Sequence, residues 1–104
     1  MLVKSFAFAV RTVNAYKFLV EKKREFIMSK QLLRSGTSIG ANAEEAIGGQ
    51  SGPDFLSKMS IAYKEARETK YWIRLLQATG YLDVAQASSY WTTSSNYYEL
   101  LPKF

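Results

Sequence analysis

The chain has 104 residues, 14 Lys and Arg against 9 Asp and Glu, and neither cysteine nor histidine. Its length and 47% hydrophobic content suit one domain with one small core. The two missing residue types exclude disulfides, thiol nucleophiles, Cys/His zinc sites and the commonest general base. A formal charge of +5 suits an acidic partner: nucleic acid, a membrane surface or an acidic protein.

The apolar N-terminus is interrupted by Lys4 and Arg11, and no small-residue cleavage site follows before Tyr16-Lys17-Phe18, so a signal peptide is not expected. No window approaches the roughly 18 uncharged apolar residues of a spanning helix. The expectation is a soluble cytoplasmic protein without a membrane partner.

Four helical segments follow in chain order. In the first, Phe6, Val10, Val13, Lys17 and Val20 form one stripe, widened by Ala9, Tyr16 and Leu19. Steps of three and four predict an amphipathic helix of roughly 18 residues with this stripe inward. The cluster Glu21-Lys22-Lys23-Arg24-Glu25 ends it and is too charged for a core.

A second helix is predicted from about Glu25 to Ile47, with Phe26, Ile27, Leu32, Leu33 and Ile39 as apolar contacts. Its middle, Ser35-Gly36-Thr37-Ser38-Ile39-Gly40-Ala41-Asn42-Ala43, carries two glycines, each costing about 1 kcal/mol against Ala inside a helix. A loop is the alternative. Helix is favoured because Gly36, Gly40 and Ala43 share one small-residue face that admits a close neighbour. Asn42, beside that face, is expected either to hydrogen-bond across helices and set register or to lie on the surface.

Gly48-Gly49-Gln50-Ser51-Gly52-Pro53-Asp54 is the clearest break. It lacks the Gly-Lys-Ser/Thr ending of a phosphate loop and follows a helix, so it reads as a turn. Gly36 and Gly40 have membrane-dimer spacing, but Arg34 and Glu44 flank them, which favours soluble packing. Ser51 is the expected N-cap of a third helix from about Pro53 to Ala78, stopping at Gly80. Phe55, Leu56, Met59, Ala62, Tyr63, Ala66, Ile73 and Leu76 form its stripe, with Lys64 and Glu68 spaced for an ion pair. Asp83 caps a last helix from about Val84 to Leu101, stopped by Pro102, with Trp91, Ser95 and Tyr98 on one face and Ala87 or Ser88 extending it. The predicted fold is all-α, a single antiparallel up-down-up-down four-helix bundle spanning residues 1–104.

The candidate chemistry is sparse. Glu44 and Glu45 late in the second helix and Glu65 and Glu68 in the third resemble the carboxylates of bundle metal sites. Those sites also use Glu-x-x-His, and this chain has no histidine. Pairing of these carboxylates with Arg34, Arg67 or Lys70 is expected instead. Neither a metal nor another cofactor is expected.

Charge is unevenly placed: residues 1–34 sum to +6 and residues 35–104 to −1. Lys17, Lys22, Lys23, Arg24, Lys30 and Arg34 are therefore the candidate nucleic-acid-binding residues; a merely solubilising surface is the alternative. Tyr71 and Trp72 cannot both enter one core, and aromatics left outside favour an interface, so self-assembly is expected; two neighbouring aromatics straddling a core edge are the alternative.

Residues 31–46, followed by residues 54–72, resemble bacterial four-helix bundle proteins related to those encoded by intervening sequences in large-subunit ribosomal RNA genes. The pattern Arg-Ser-x-x-Ser-Ile-x-x-Asn-x-x-Glu falls on Arg34, Ser35, Ser38, Ile39, Asn42 and Glu45. Glu-Thr-x-Tyr-Trp falls on Glu68, Thr69, Tyr71 and Trp72. The likeness fades after about Asp83, where this chain has a Ser/Thr-rich segment instead of Leu and Glu. The resemblance implies a left-handed bundle, often a homopentamer, with no established catalysis, whose motif residues serve packing and interfaces. A relative, the accessory variability protein of diversity-generating retroelements, is a basic pentamer that associates with nucleic acid and a reverse transcriptase. The leading expectation is a non-enzymatic oligomeric adaptor that binds RNA or DNA. A protein-interaction scaffold comes second and a metal-dependent enzyme third.

Overall fold

The structure is a computed structural model and describes residues 2–49 and 51–94, with side chains as far as position 90. Local chemistry sets the helix boundaries. Helix α1 covers Leu2–Glu21, α2 Met28–Ile47, α3 Gly52–Ala78 and α4 Val84–Ser94. At the start of α3, Ser51 Oγ accepts from the Asp54 N–H at 3.1 Å, and Pro53 needs no partner for a missing N–H. Gly80 ends this segment at φ +85°, a left-handed conformation glycine adopts freely. Asp83 Oδ1 accepts from the Gln86 N–H at 2.7 Å, and Gln86 Oε1 accepts from the Asp83 N–H at 2.9 Å. This reciprocal box fixes the start of α4. The expected continuation to Leu101, the Trp91–Ser95–Tyr98 face and the stop at Pro102 lie outside the described residues.

Contacts at helix crossings fix the topology. Thr12 lies against Gly36 and Ser5 against Gly40, so α1 and α2 are antiparallel. Arg34 meets Glu65 and Glu68 while Gly49 approaches Asp54, which makes α2 and α3 antiparallel as well. Tyr90 packs its ring edge-on to Phe8 and donates its hydroxyl to the Arg11 carbonyl, so α4 returns alongside α1. The described helices form an all-α, up-down-up-down bundle with no strand among the described residues.

Phe8, Leu19, Leu32, Ile39, Ile73 and Leu76 are fully buried and make up the centre of the core, with Met59, Leu82, Ala87 and Tyr90 around them. Burial of each such side chain contributes about 1.5–3 kcal/mol. The α3 stripe is as expected except at Leu56, which is exposed. Thr69 takes a buried place on that helix, its hydroxyl donating to the Glu65 carbonyl at 2.8 Å.

Helix α1 departs from the expected orientation. Its buried face is Ser5, Phe8, Thr12, Ala15 and Leu19, whereas Phe6 is 65% and Val10 46% exposed. The helix is turned by about one residue position, roughly 100°. The cause lies on α2, where Gly36 and Gly40 leave a shallow channel that only small side chains can enter. Ser5 and Thr12 fill it at low cost because their hydroxyls donate to carbonyls of their own helix, Leu2 at 3.1 Å and Phe8 at 2.8 Å. Close helix contact outweighed apolar periodicity.

Candidate functional site

The α1–α2 turn gathers most of the candidate cations. Lys17 is exposed on α1, Lys22, Lys23 and Arg24 are exposed in the turn, and Lys30 is exposed in the first turn of α2. Glu21 is the exposed acid among them. The second acid of the cluster, Glu25, is not a surface residue: it is 6% exposed, which corrects the expectation that the whole segment is too charged for the interior.

Glu25 is buried because α2 needs an acceptor at its N-terminus. Its carboxylate accepts from the N–H groups of Ile27 at 2.8 Å, Met28 at 3.0 Å and Ser29 at 3.0 Å. In return Ser29 Oγ donates to the Glu25 carbonyl at 2.8 Å. Three otherwise orphaned donors are satisfied by a negative group placed at the positive end of the helix dipole. The charge of Glu25 is thereby spent inward and does not offset the lysines outside. A Glu followed four positions later by Ser, just before an apolar helix, was the signal available in the sequence.

This cap also moves the helix start. Helix α2 begins at Met28, so Phe26 and Ile27 precede it. Expected as core contacts, they are instead 47% and 79% exposed. Arg24 sits at φ +55°, and its guanidinium carbon lies 5.9 Å from the centre of the Phe26 ring. Lys23 Nζ lies 5.9 Å from the Phe18 ring centre. The turn therefore presents cations and apolar side chains together.

Arg34 belongs to different surroundings. Its guanidinium donates to Glu65 Oε2 at 3.1 Å and to Glu68 Oε2, and its Nε donates to Gln31 Oε1 at 3.2 Å. Trp72 Nε1 donates to the same Glu68 oxygen at 3.0 Å. Arg34 thus clamps α2 to α3, in keeping with the planar fork that suits guanidinium to paired carboxylates. Tyr71 points outward and Trp72 packs on the core edge, their rings edge-on at 5.1 Å.

The remaining motif residues are mostly satisfied within their own helix. Ser35 is buried and Ser38 Oγ donates to the Arg34 carbonyl at 2.6 Å. Asn42 Nδ2 donates to the Ser38 carbonyl at 2.9 Å, so the expected bond across helices is replaced by one to the preceding turn of α2. The amide lies beside, and not on, the face toward α1, and the carbonyl four residues back is within reach. Glu45 is exposed.

The four carboxylates once candidates for a metal do not converge. Arg34 fixes Glu65 and Glu68 opposite one part of α2, while Glu44 and Glu45 lie about 15 Å further along it at 1.5 Å per residue. Among the described residues no group of three potential metal ligands occurs. A groove of about 490 Å³ between α1 and α4 is floored by Ala15, Phe18, Leu82 and Tyr90 and edged by Arg11. Burial pushes the Tyr90 phenol above its ordinary pKa, partly offset by the Arg11 charge. Among the described residues no helix is long and apolar enough to cross a membrane.

Residues 1–102 match the family model described as 23S rRNA-intervening sequence protein. No curated protein matches the chain. A crystal structure of a protein of unknown function from the S23 ribosomal protein family of Bacteroides thetaiotaomicron is 54% identical. It superposes with a TM-score of 0.92, over 95% of this chain and 88% of that one.

Proposed function

From the premise that the chain belongs to the 23S rRNA-intervening sequence protein family, we propose that it is a non-enzymatic, oligomeric adaptor that binds nucleic acid through the α1–α2 turn. The observation that carries the reading is the exposure of Lys17, Lys22, Lys23, Arg24 and Lys30 while Glu25 is turned inward. The cations face solvent with Glu21 as the exposed acid beside them, an arrangement suited to phosphates. Arg34 is the exception, held by two carboxylates.

Assembly is supported by a second feature. Val3, Phe6 and Val10 leave an apolar strip exposed on α1, the kind of surface a second copy covers. A homopentamer is the assembly proposed, by the family resemblance. Such an assembly would repeat the basic turn around its circumference and raise the effective concentration of phosphate contacts.

Anisotropy titrations of labelled RNA and labelled DNA at two salt concentrations test the binding, with light scattering for the mass. Affinity is expected to fall steeply with salt. No binding at about 50 mM salt, or binding indifferent to salt, overturns the reading. The same apolar strip favours one alternative, a scaffold whose partner is a protein. In that case replacing Lys22, Lys23 and Arg24 together by Glu leaves partner capture unchanged.

A further inference from the structure

The α1–α2 turn holds two features that electrostatic attraction to phosphate does not require. One is Arg24, a non-glycine residue at φ +55°, where an L side chain crowds its own backbone. That φ turns the chain so that the Glu25 N–H reaches back to the Leu19 carbonyl and closes α1, and it leaves the Arg24 side chain exposed. The other is the exposure of Phe26 at 47% and Ile27 at 79% in a segment otherwise made of charges.

The same local geometry explains both. The Glu25 carboxylate, bound to three N–H groups of α2, fixes the backbone on the far side of Arg24. Backbone bonds from Lys22 N–H to the Phe18 carbonyl at 2.9 Å, and from Glu25 N–H to the Leu19 carbonyl at 3.0 Å, fix the near side. Phe26 is thus carried on a braced turn, with the Arg24 guanidinium 5.9 Å from its ring centre. Because Glu25 already fills the N-terminus of α2, an incoming phosphate must be met by side chains, and Lys22, Lys23 and Arg24 in the turn, Lys17 before it and Lys30 after it are exposed. The tip combines an aromatic face with cations at the spacing of neighbouring residues.

We infer that the α1–α2 turn is a single-strand platform, in which an unpaired base stacks on Phe26 while Arg24 and its neighbouring lysines hold the flanking phosphates. The inference rests on the nucleic-acid reading above and deepens it by naming the form of nucleic acid. Every base has a π face, so such a platform tolerates sequence; a duplex hides its bases from the ring and offers only phosphates. Charge complementarity selects the occupant, and Ile27, 79% exposed, offers apolar contact to a sugar or base.

The test uses the full chain, a short labelled oligodeoxythymidine and oligouridine, and a labelled duplex of equal length. The unsubstituted protein is expected to favour the single strands. Phe26→Ala and Phe26→Leu are both expected to weaken single-strand binding by about 5- to 150-fold, the change for one lost stack, and to leave duplex binding unchanged. Phe26→Trp should retain the affinity. Circular dichroism confirms that the variants fold, as a half-exposed position predicts. Equal affinity for single strand and duplex, with Phe26→Ala silent, overturns this inference while leaving the binding reading standing. Failure of every oligonucleotide to bind overturns both. Vesicles containing phosphatidylserine provide the remaining outcome: capture that survives Phe26→Leu but not Phe26→Ala, without oligonucleotide binding, assigns the tip to a lipid surface and refutes the proposal.

Discussion

Thr12 occupies the space that a side chain on Gly36 would need. A Cβ built on Gly36 would lie 2.6 Å from Thr12 Cγ2, 2.7 Å from its Oγ1 and 3.1 Å from its Cβ. The contact involves a fully buried, β-branched side chain, with little freedom to step aside. It sets how close α1 and α2 come, and with Ser5 at Gly40 it decides which face of α1 is inside.

Gly36→Ala should therefore destabilise the fold even though it raises helix propensity by about 1 kcal/mol. Overpacking of this kind costs about 1–3 kcal/mol, so a net loss of about 1 kcal/mol is expected. Thr12→Ala removes two of the three contacting atoms, and the double variant should recover most of the loss. Urea denaturation of the two single variants and the double variant measures the coupling. Additive effects would refute the steric account.

Glu25→Ala removes the acceptor for three N–H groups, and a cost of about 2 kcal/mol is expected, the upper end for a helix cap. Glu25→Gln keeps one carbonyl oxygen and should lose about half as much. The same denaturation midpoints report both. If Glu25→Ala is as stable as the unsubstituted protein, the cap is not holding the turn.

Arg24→Gly should do the opposite. It relieves the cost of a left-handed Arg, roughly 1–2 kcal/mol, and restores some unfolded-chain entropy worth about 0.4–1 kcal/mol. A net gain in stability of about 0.5–1 kcal/mol is expected, together with weaker binding to single strands. Gain of stability with loss of affinity separates a functional side chain from a structural one.

Arg34→Ala should leave oligonucleotide affinity unchanged, because the guanidinium is engaged with Glu65 and Glu68 and not with the turn. Its side chain is 48% exposed, so solvent screening holds the stability cost to about 1 kcal/mol or less, smaller still at high salt. A marked loss of affinity would place Arg34 in the binding surface after all.

Tyr90 gives a pH dependence with a definite sign. Its folded pKa lies above the ordinary value of 10.0, chiefly through burial. The folded state then holds the phenol proton more tightly than the unfolded state. Its contribution is complete below pH 10 and is lost as pH rises through the folded pKa. Tyr90→Phe should be less stable at neutral pH, having lost the hydroxyl bond to the Arg11 carbonyl, but should lose less stability above pH 10. Thermal melts across that range compare the two slopes.

Local signals carried much of the fold. Ser51, Pro53, Gly80 and Asp83 act where their chemistry suggested, because caps and breaks depend on a few neighbouring atoms. The small-residue face of α2 was legible in the spacing of Gly36, Gly40 and Ala43, and the stripe of α3 in its apolar period. Lys17, Lys22, Lys23, Arg24 and Lys30 could be named as a basic cluster because they are close in sequence.

Only the tertiary structure decided what each of these residues faces. The sequence offers α1 an apolar stripe at Phe6 and Val10, and nothing within α1 says that Ser5 and Thr12 go inward. That choice is made by the glycines of another helix, which reward thin side chains over oily ones. The same holds for charge: Glu25 and Arg34 read as members of one basic run, yet the first is drawn inside by the N–H groups of α2. The second is drawn to α3 by two carboxylates more than thirty residues away. Composition and period fixed the number and kind of helices, since these depend on near neighbours. Close approach and ion pairing between distant segments fixed which faces meet and which cations stay exposed.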